Sequence, residues 1–376
     1  MRYPEGRLRS LDAFRGLTIA AMVLVNNPGT WTAVYRPLTH AEWHGWTPTD
    51  LVFPFFLFIV GVSITLALGR RRAAGDPDQV LAARVTRRAA IIFALGLALN
   101  VIAALRFGVG LDTVRWMGVL QRIALCYLVA ALLFLWFGWR TQAAIAAGLL
   151  LGYWGLLTLV PVPGFGAGDL GKEGSLAAWL DRLLLGPHIW RGGKVYDPEG
   201  LLSTLPAIAT TLAGVLGGHW LATPRSPWRT LAPLALAGAA AVGVGLAWGA
   251  WFPINKSLWT SSDALFTAGA AALGLAACVG VVDVAGYRRW ATPFVVFGTN
   301  ALALFFLSTL AALLLVTSEI AQADGGSLTL HAVLYRRLFA SWASPVNASL
   351  AWAVAYLLVW LGVMGLLYRR RIFIRV

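Results

Sequence analysis

The chain alternates between long apolar runs and shorter polar connections along its whole length. Ten runs, near 12–29, 51–69, 87–106, 117–137, 142–160, 201–221, 230–251, 264–283, 294–316 and 348–368, are spaced as successive helices. Each is long enough to cross a ~30 Å hydrocarbon core at about 1.5 Å per residue. The pattern therefore predicts an all-α polytopic membrane helical bundle of about 10 transmembrane helices, with residues 1–376 forming a single integral-membrane domain. Small residues crowd several runs, as in LAGAAAVGVGLAWG at 236–249. Glycine and alanine let helix backbones approach closely where lipid supplies no hydrophobic drive. One connection, 161–200, is too long and too rich in Trp, Gly and charge for a plain tether. Within it, SLAAWLDRLLL at 175–185 has the pattern of a short interfacial helix.

Composition strengthens the membrane assignment. Hydrophobic residues make up 59% of the chain and charged residues only 12%. A soluble domain carries about twice that charge. The first apolar run follows Arg7, Arg9 and Arg15 without the features of a cleavable signal, so it is expected to stay as a helix. Cys126 and Cys278 both lie inside apolar runs and read as small buried hydrophobes rather than a disulfide.

The net charge of +14 raises the question of nucleic acid, but its distribution answers it. Arg2, Arg7, Arg9, Arg15, Arg70, Arg71, Arg72, Arg84, Arg87, Arg88, Arg140, Arg225, Arg229, Arg288, Arg289, Arg369, Arg370, Arg371 and Arg375 all fall on alternate connections and the termini. That is 19 of the 30 basic residues, the bias that orients a membrane protein with this side in the cytoplasm. Both termini are then cytoplasmic, and no nucleic-acid partner is needed. The connections near 30–50, 107–116, 161–200, 252–263 and 317–347 lie on the opposite side.

Candidate chemistry concentrates in THAEWHGWTPTDLVFPFFLFIVG, 39–61. His40, Glu42, His44 and Asp50 cluster among tryptophans at the mouth of the second run. By spacing alone the segment fits either an interfacial aromatic belt or a functional site. The two histidines stand at i, i+4, but the glutamate is misplaced for the zincin pattern HExxH, so no metal is expected. His188, His219 and His331 read as interfacial or solvated. Asn26, Asn100, Arg122 and Asn300 lie in or beside spans, where a polar group faces a partner or a cavity. Arg122 fits equally an interhelical bond and a ligand-lining role. At the start of the first run, RSLDAFRG places Asp12 as a helix-start carboxylate and Arg15 as its partner. The same arginines suit an anionic ligand arriving from the cytoplasm.

RSLDAFRGLTIAAMVLVNN followed by HAEWHGWTPTDLVFPFFLFIVGVS resembles the heparan-α-glucosaminide N-acetyltransferase family, in its bacterial branch. The resemblance continues through GVLQRIALCY (118–127), YDPEGLLSTLPAI (196–208), PINKSLWTSS (253–262) and PFVVFGTNAL (293–302), nearly the whole chain. It implies transfer of acetyl from cytosolic acetyl-CoA, as co-substrate, to the amine of a glucosamine residue across the membrane. By motif position the family's essential histidine falls on His40 and its partner asparagine on Asn26. Glu42 and His44 replace a serine and an asparagine of the lysosomal enzyme, and heparan itself is not expected as the bacterial acceptor.

The orientation drawn from Lys and Arg puts His40, Asp50, Asp197, Glu199, Asn255, Lys256 and Trp259 on the non-cytoplasmic side. Asp197, Glu199, Asn255, Lys256 and Trp259 are the expected acceptor-binding residues, with Trp259 either stacking on a sugar or anchoring at the interface. Arg9, Asp12, Arg15 and Arg122 are the expected acetyl-CoA-binding residues. Asp50 is expected to orient His40, the general base, and Asn26 to bind the developing oxyanion. Direct transfer and an acetyl-histidine intermediate both fit. The expected partners are an amino-sugar or glycan acceptor and membrane lipid, with a homodimer left open; the expected location is a bacterial inner membrane. The alternative is an amino-sugar transporter or channel, which would show paired halves with broken helices. No such repeat is evident in the sequence.

Overall fold

The structure is a computed structural model that describes residues 8–223, 227–322 and 326–374. Arg2, Arg7, Arg225 and Arg375 of the basic side lie outside the described residues. The protein is an all-α polytopic bundle. Helix α1 (Arg9–Asn26) is followed by α2 (Pro48–Ala73), α3 (Asp78–Arg106), α4 (Val119–Trp136) and α5 (Trp139–Leu159). A short α6 (Leu176–Leu185) in the long connection precedes α7 (Thr204–Ala222), α8 (Pro227–Trp248) and α9 (Ser261–Cys278). Then come α10 (Thr292–Thr299), α11 (Ala301–Thr317), α12 (Leu330–Tyr335) and α13 (Pro345–Arg369). A hairpin of β1 (Glu319–Ala321) and β2 (Ser327–Thr329) sits in the connection before α12. Among the described residues, eight helices are long and apolar enough to cross a membrane: α2, α3, α4, α5, α7, α8, α9 with its π-helical continuation, and α13. Helix α1 has 18 residues but carries Arg9, Asp12 and Arg15.

The ninth expected run needs correction. The apolar stretch 294–316 is not one helix: α10 and α11 meet at an angle of 83°. The cause is local. Gly298 lies so close to α1 that an added Cβ would stand 2.0 Å from the Asp12 carbonyl, and Gly16 mirrors it against Phe294. At the break, Asn300 donates through Nδ2 to the Ile372 carbonyl (3.1 Å) and accepts from the Ile374 amide (2.9 Å). The asparagine thus leaves the helix to hold an extended chain segment, which a hydropathy pattern does not register.

Small residues set the other close packings. A Cβ at Gly61 of α2 would lie 2.0 Å from the Thr211 carbonyl of α7, and one at Gly238 of α8 would meet Gly269 of α9. Cys126 and Cys278 are free and buried.

The connections that precede α2, α4, α7, α9 and α13 gather at one end of the bundle and interlock. Gly45 donates to Ile254 (2.8 Å), Trp43 Nε1 to the Leu170 carbonyl (2.9 Å) and Tyr153 Oη to the Leu258 carbonyl (2.5 Å). Helix α6 forms where its pattern predicts, with Ser175 as N-cap to Ala178. These ties lock the connections before α2, α7 and α9 together around the mouth of α2.

Candidate active site

Helix α2 begins with a reciprocal cap that fixes its N-terminal geometry. Thr47 precedes Pro48, whose ring suits the first helical turn. Asp50 Oδ2 accepts from the Thr47 amide (2.9 Å), the Thr47 hydroxyl (3.1 Å) and the Ala41 amide (3.0 Å). The second oxygen, Oδ1, faces His40 Nδ1 at 2.6 Å. Asp50 is buried while His40 is half exposed. A carboxylate only accepts, so Nδ1 carries the hydrogen and Nε2 presents its lone pair. This is an imidazole oriented as a base.

His40 lines a small half-open cavity of about 60 Å³. Its other polar lining comes from Asn26 at the end of α1, Thr49 of α2, and Glu199 and Lys256 of two distant connections. Met22, Phe53 and Val119 form apolar walls. Five of the sequence-selected residues stand at or directly behind this one cavity, counting Asp50 with Asn26, His40, Glu199 and Lys256.

His44 is separated from His40. Its Nδ1 faces Asn255 Nδ2 at 3.4 Å, and burial lowers its pKa. Asn255 is fully buried and also accepts from the Leu258 amide (2.9 Å), so it shapes the 252–260 connection and has no face on the cavity lining.

Trp259 departs from expectation. It is fully buried, with its ring 5.2 Å from Phe53 and its Nε1 donating to Thr210 Oγ1 (3.2 Å). No ring face is left for a sugar or for the interface, because the indole covers the Arg122 guanidinium at 5.1 Å. Arg122 itself is fully buried and donates to the Gly200 carbonyl (3.1 Å) and to Ser203 Oγ.

Arg122 therefore stands beside the Glu199 segment and not with the other expected acetyl-CoA residues. Arg15 pairs with Asp12 (2.7 Å) and donates to Ser63 Oγ (2.7 Å) and the Gly298 carbonyl (3.4 Å), nearer the opposite end of α1. Arg9 lies two turns away from Arg15 on the same helix. Eleven residues separate Arg15 from Asn26, about 16 Å along the axis.

Sequence reasoning missed Arg115. Its Nε and Nη2 grip both oxygens of Asp197 (2.9 and 2.5 Å), and Nη2 also reaches Glu199 Oε2 (2.5 Å). Asn100 Nδ2 holds the Arg115 carbonyl (2.8 Å). Asp197 is saturated further by the amides of Trp190 and Glu199, 2.9 Å each. It thus meets protein on every side and is not part of the cavity lining. Burial works against the Glu199 charge, but Arg115, then Arg122 and Lys256, hold its pKa below the ordinary carboxylate range. The one available signal was an arginine in a short outer connection, where Asp112 three residues earlier suggested a local partner instead of the distant acids it holds.

The remaining histidines lie elsewhere. His188 stacks on Trp116, His219 faces Gln142 Oε1 at 3.0 Å, and His331 packs on Trp352.

Residues 7–165 match the model for the catalytic region of heparan-alpha-glucosaminide N-acetyltransferase. The human protein of that name is 34% identical over 261 residues, covering 57% of this chain and 38% of the relative. The mouse protein is 32% identical over 268 residues, covering 58% of this chain and 40% of the relative. Over these matched residues the chain is similar to this family. The matches span only about two fifths of the relatives' own length. The family-model match runs from α1 through α5 and contains Asn26, His40, Asp50, Arg115 and Arg122. Glu199 and Lys256 complete the cavity from beyond it.

Proposed function

We propose that the protein is a transmembrane N-acetyltransferase that moves acetyl from cytosolic acetyl-CoA to the amine of a glucosamine-type sugar on the non-cytoplasmic side. The observation that carries this reading is the 2.6 Å His40–Asp50 pair, oriented as a base, on a cavity shared with Asn26, Glu199 and Lys256. The protein acts as a single multi-pass unit in a bacterial inner membrane, and the bias of its arginines supports that orientation.

In this mechanism the acceptor amine attacks the thioester carbonyl. His40 Nε2 takes the amine proton, Asp50 stabilises the imidazolium, and the Asn26 amide donates to the oxyanion. Collapse breaks the carbon–sulfur bond, and the thiolate leaves with a proton returned by His40. Arg9, Asp12 and Arg15 are assigned to the anionic end of acetyl-CoA. Asp197, Asn255, Trp259 and Arg122 support the acceptor pocket from behind, while Glu199 and Lys256 line it. An acetyl-His40 intermediate uses the same geometry, and trapping labelled acetyl on the enzyme without acceptor separates it from direct transfer.

The test uses the purified protein in sealed vesicles of known orientation. Labelled acetyl-CoA is expected to work only from the arginine-rich side and glucosamine only from the other. Acceptance of both from one side would overturn the transmembrane reading. Glucosamine uptake without acetylation would replace it with transport.

A further inference from the structure

Glu199 is almost fully buried, yet one of its oxygens is left uncommitted. Oε2 is held by Arg115, whereas Oε1 has no hydrogen-bond partner among the described residues and the side chain lines the His40 cavity. Lys256 lines the same cavity and forms no ion pair within 4.0 Å among the described residues. Two opposite charges thus share one small cavity without pairing. Arg115 supplies the pairing that the buried Glu199 needs, while the partly exposed Lys256 is left without a carboxylate within 4.0 Å among the described residues. The arrangement keeps one carboxylate oxygen and one ammonium apart on the same cavity.

The arrangement rests on what restrains the glutamate. Arg115 is fixed on Asp197 by two hydrogen bonds and by Asn100 through its carbonyl, and Asp197 is fixed by two backbone amides. The clamp commits Oε2 to Arg115 and leaves Oε1 without a hydrogen-bond partner among the described residues, on a side chain that lines the cavity. Resting on the acetyltransferase reading, we propose that Glu199 Oε1 is the docking point for the acceptor's ammonium group, and that Arg115 with Asp197 is its positioning clamp. Lys256 donates to the oxygens of the sugar ring. The site therefore selects a cationic amino sugar over a neutral sugar before any chemistry occurs.

The division of labour follows from charge. Glu199 faces Arg115, Arg122 and Lys256 as well as Asp197, and the three cations keep it ionised despite its burial. A carboxylate held in that state is a good ammonium ligand and a poor proton acceptor. His40, which lines the same cavity, first takes one proton from the docked ammonium and releases it to solvent. The freed amine then attacks the thioester, and its remaining surplus proton passes through His40 to the departing thiolate.

The test measures acceptor kinetics in the full-length protein, with N-acetylglucosamine as a neutral competitor. Glu199→Gln is expected to raise the KM for glucosamine about tenfold or more, the scale of a lost hydrogen bond to a charged group. The inhibition constant of N-acetylglucosamine should stay within about twofold, since it carries no ammonium. A parallel rise in both constants would overturn the proposal, as would an unchanged KM. Arg115→Gln supplies the second readout. With the clamp gone the Glu199 pKa rises, so the glucosamine KM should acquire an upward limb toward acid pH that the wild-type protein lacks. A merely structural arginine would lower turnover without creating that limb. The same comparison of glucosamine with N-acetylglucosamine can be read by equilibrium binding. If the wild-type protein transfers no acetyl, the proposed function fails while the binding arm still decides the ammonium site.

Discussion

Replacing Asp50 with asparagine separates the two tasks of this carboxylate, because the amide keeps its shape but turns one acceptor into a donor. The amide oxygen, placed at Oδ2, still accepts from the Thr47 and Ala41 amides, so the cap of α2 survives. The amide nitrogen then occupies the Oδ1 position, 2.6 Å from His40 Nδ1, where it can only donate. His40 must accept through Nδ1 and carry its hydrogen on Nε2, so the nitrogen on the cavity becomes a donor and loses its role as base. The same change in a serine-protease triad lowers kcat about 10⁴-fold by trapping the wrong tautomer. His40 is half exposed and can turn, so a loss of about 10²–10⁴-fold is expected, or ~2.7–5.4 kcal/mol at 1.36 kcal/mol per decade. Asp50→Ala differs in kind: it also removes the cap, at about 0.5–2 kcal/mol of stability. The assay is steady-state acetyl transfer to glucosamine beside thermal unfolding of the purified variants. Near-native kcat in Asp50→Asn would refute the base assignment. A large drop in melting temperature for Asp50→Asn would instead show that the amide does not preserve the cap.

His40→Ala is expected to abolish acetyl transfer while His44→Ala keeps a substantial fraction, since His44 faces Asn255 and not Asp50; equal and complete loss in both folded variants would reverse this. Asn26→Ala should lower kcat more than it raises the acceptor KM, because an oxyanion donor acts mainly in the transition state, and a pure KM effect would exclude that role. Arg15→Lys should raise the acetyl-CoA KM without changing the acceptor KM, the reverse pattern arguing against a phosphate contact; alanine is a poorer probe because it would also delete the ion pair with buried Asp12. Burial pushes the Asp181 carboxyl up to about 7 while it accepts from the Leu201 amide. The folded state therefore binds the extra proton between about pH 4 and 7, and its stability falls as pH rises through that window. Asp181→Asn should then raise the melting temperature at pH 8 more than at pH 5, and an equal change at both would place the effect elsewhere.

Local features were legible in the sequence, and long-range ones were not. Thr47, Pro48 and Asp50 lie within four residues, so the cap is a matter of local turn chemistry, whereas the bond from Asp50 to His40, ten residues away, depends on the path of the chain between them. The small residues of α8 announced close packing, and Gly238 meets Gly269 as expected. Arg115 escaped notice because its acids lie 82 and 84 residues later, a pairing that only the fold creates. Trp259 was misread for a related reason. Tryptophan in an outer connection usually sits at the interface, but Arg122 and Phe53 draw this one fully inside. The break at Asn300 hides in an apolar stretch with a single amide, and its hydrogen bonds reach to residues 372–374.

On the proposed transmembrane reading, that break bears on how a donor from one side reaches an acceptor on the other. The distance from Arg15 to Asn26 is set by α1 alone, about 16 Å, roughly half of a ~30 Å hydrocarbon core. For acetyl-CoA bound at Arg15 to present its thioester near Asn26, the polar face of the protein must already enter the membrane as far as Arg15. Irregular backbone at membrane depth is tolerated only inside protein or along a water-filled cavity. The structure places such backbone at that level: α10 and α11 part at Asn300, and the Gly298 carbonyl turns to Arg15 at 3.4 Å. Gly16 and Gly298 bring the broken helix onto α1 with no room for a side chain between them. The kink thus lets a charged group sit partway down α1 beside free backbone polarity, shortening the apolar barrier from one side. From the other side the His40 cavity shortens it again, because Met22, a full turn inside Asn26, already lines its wall. What remains between the two is a single extended arm's length of α1, the dimension that transfer without transport of either whole substrate requires.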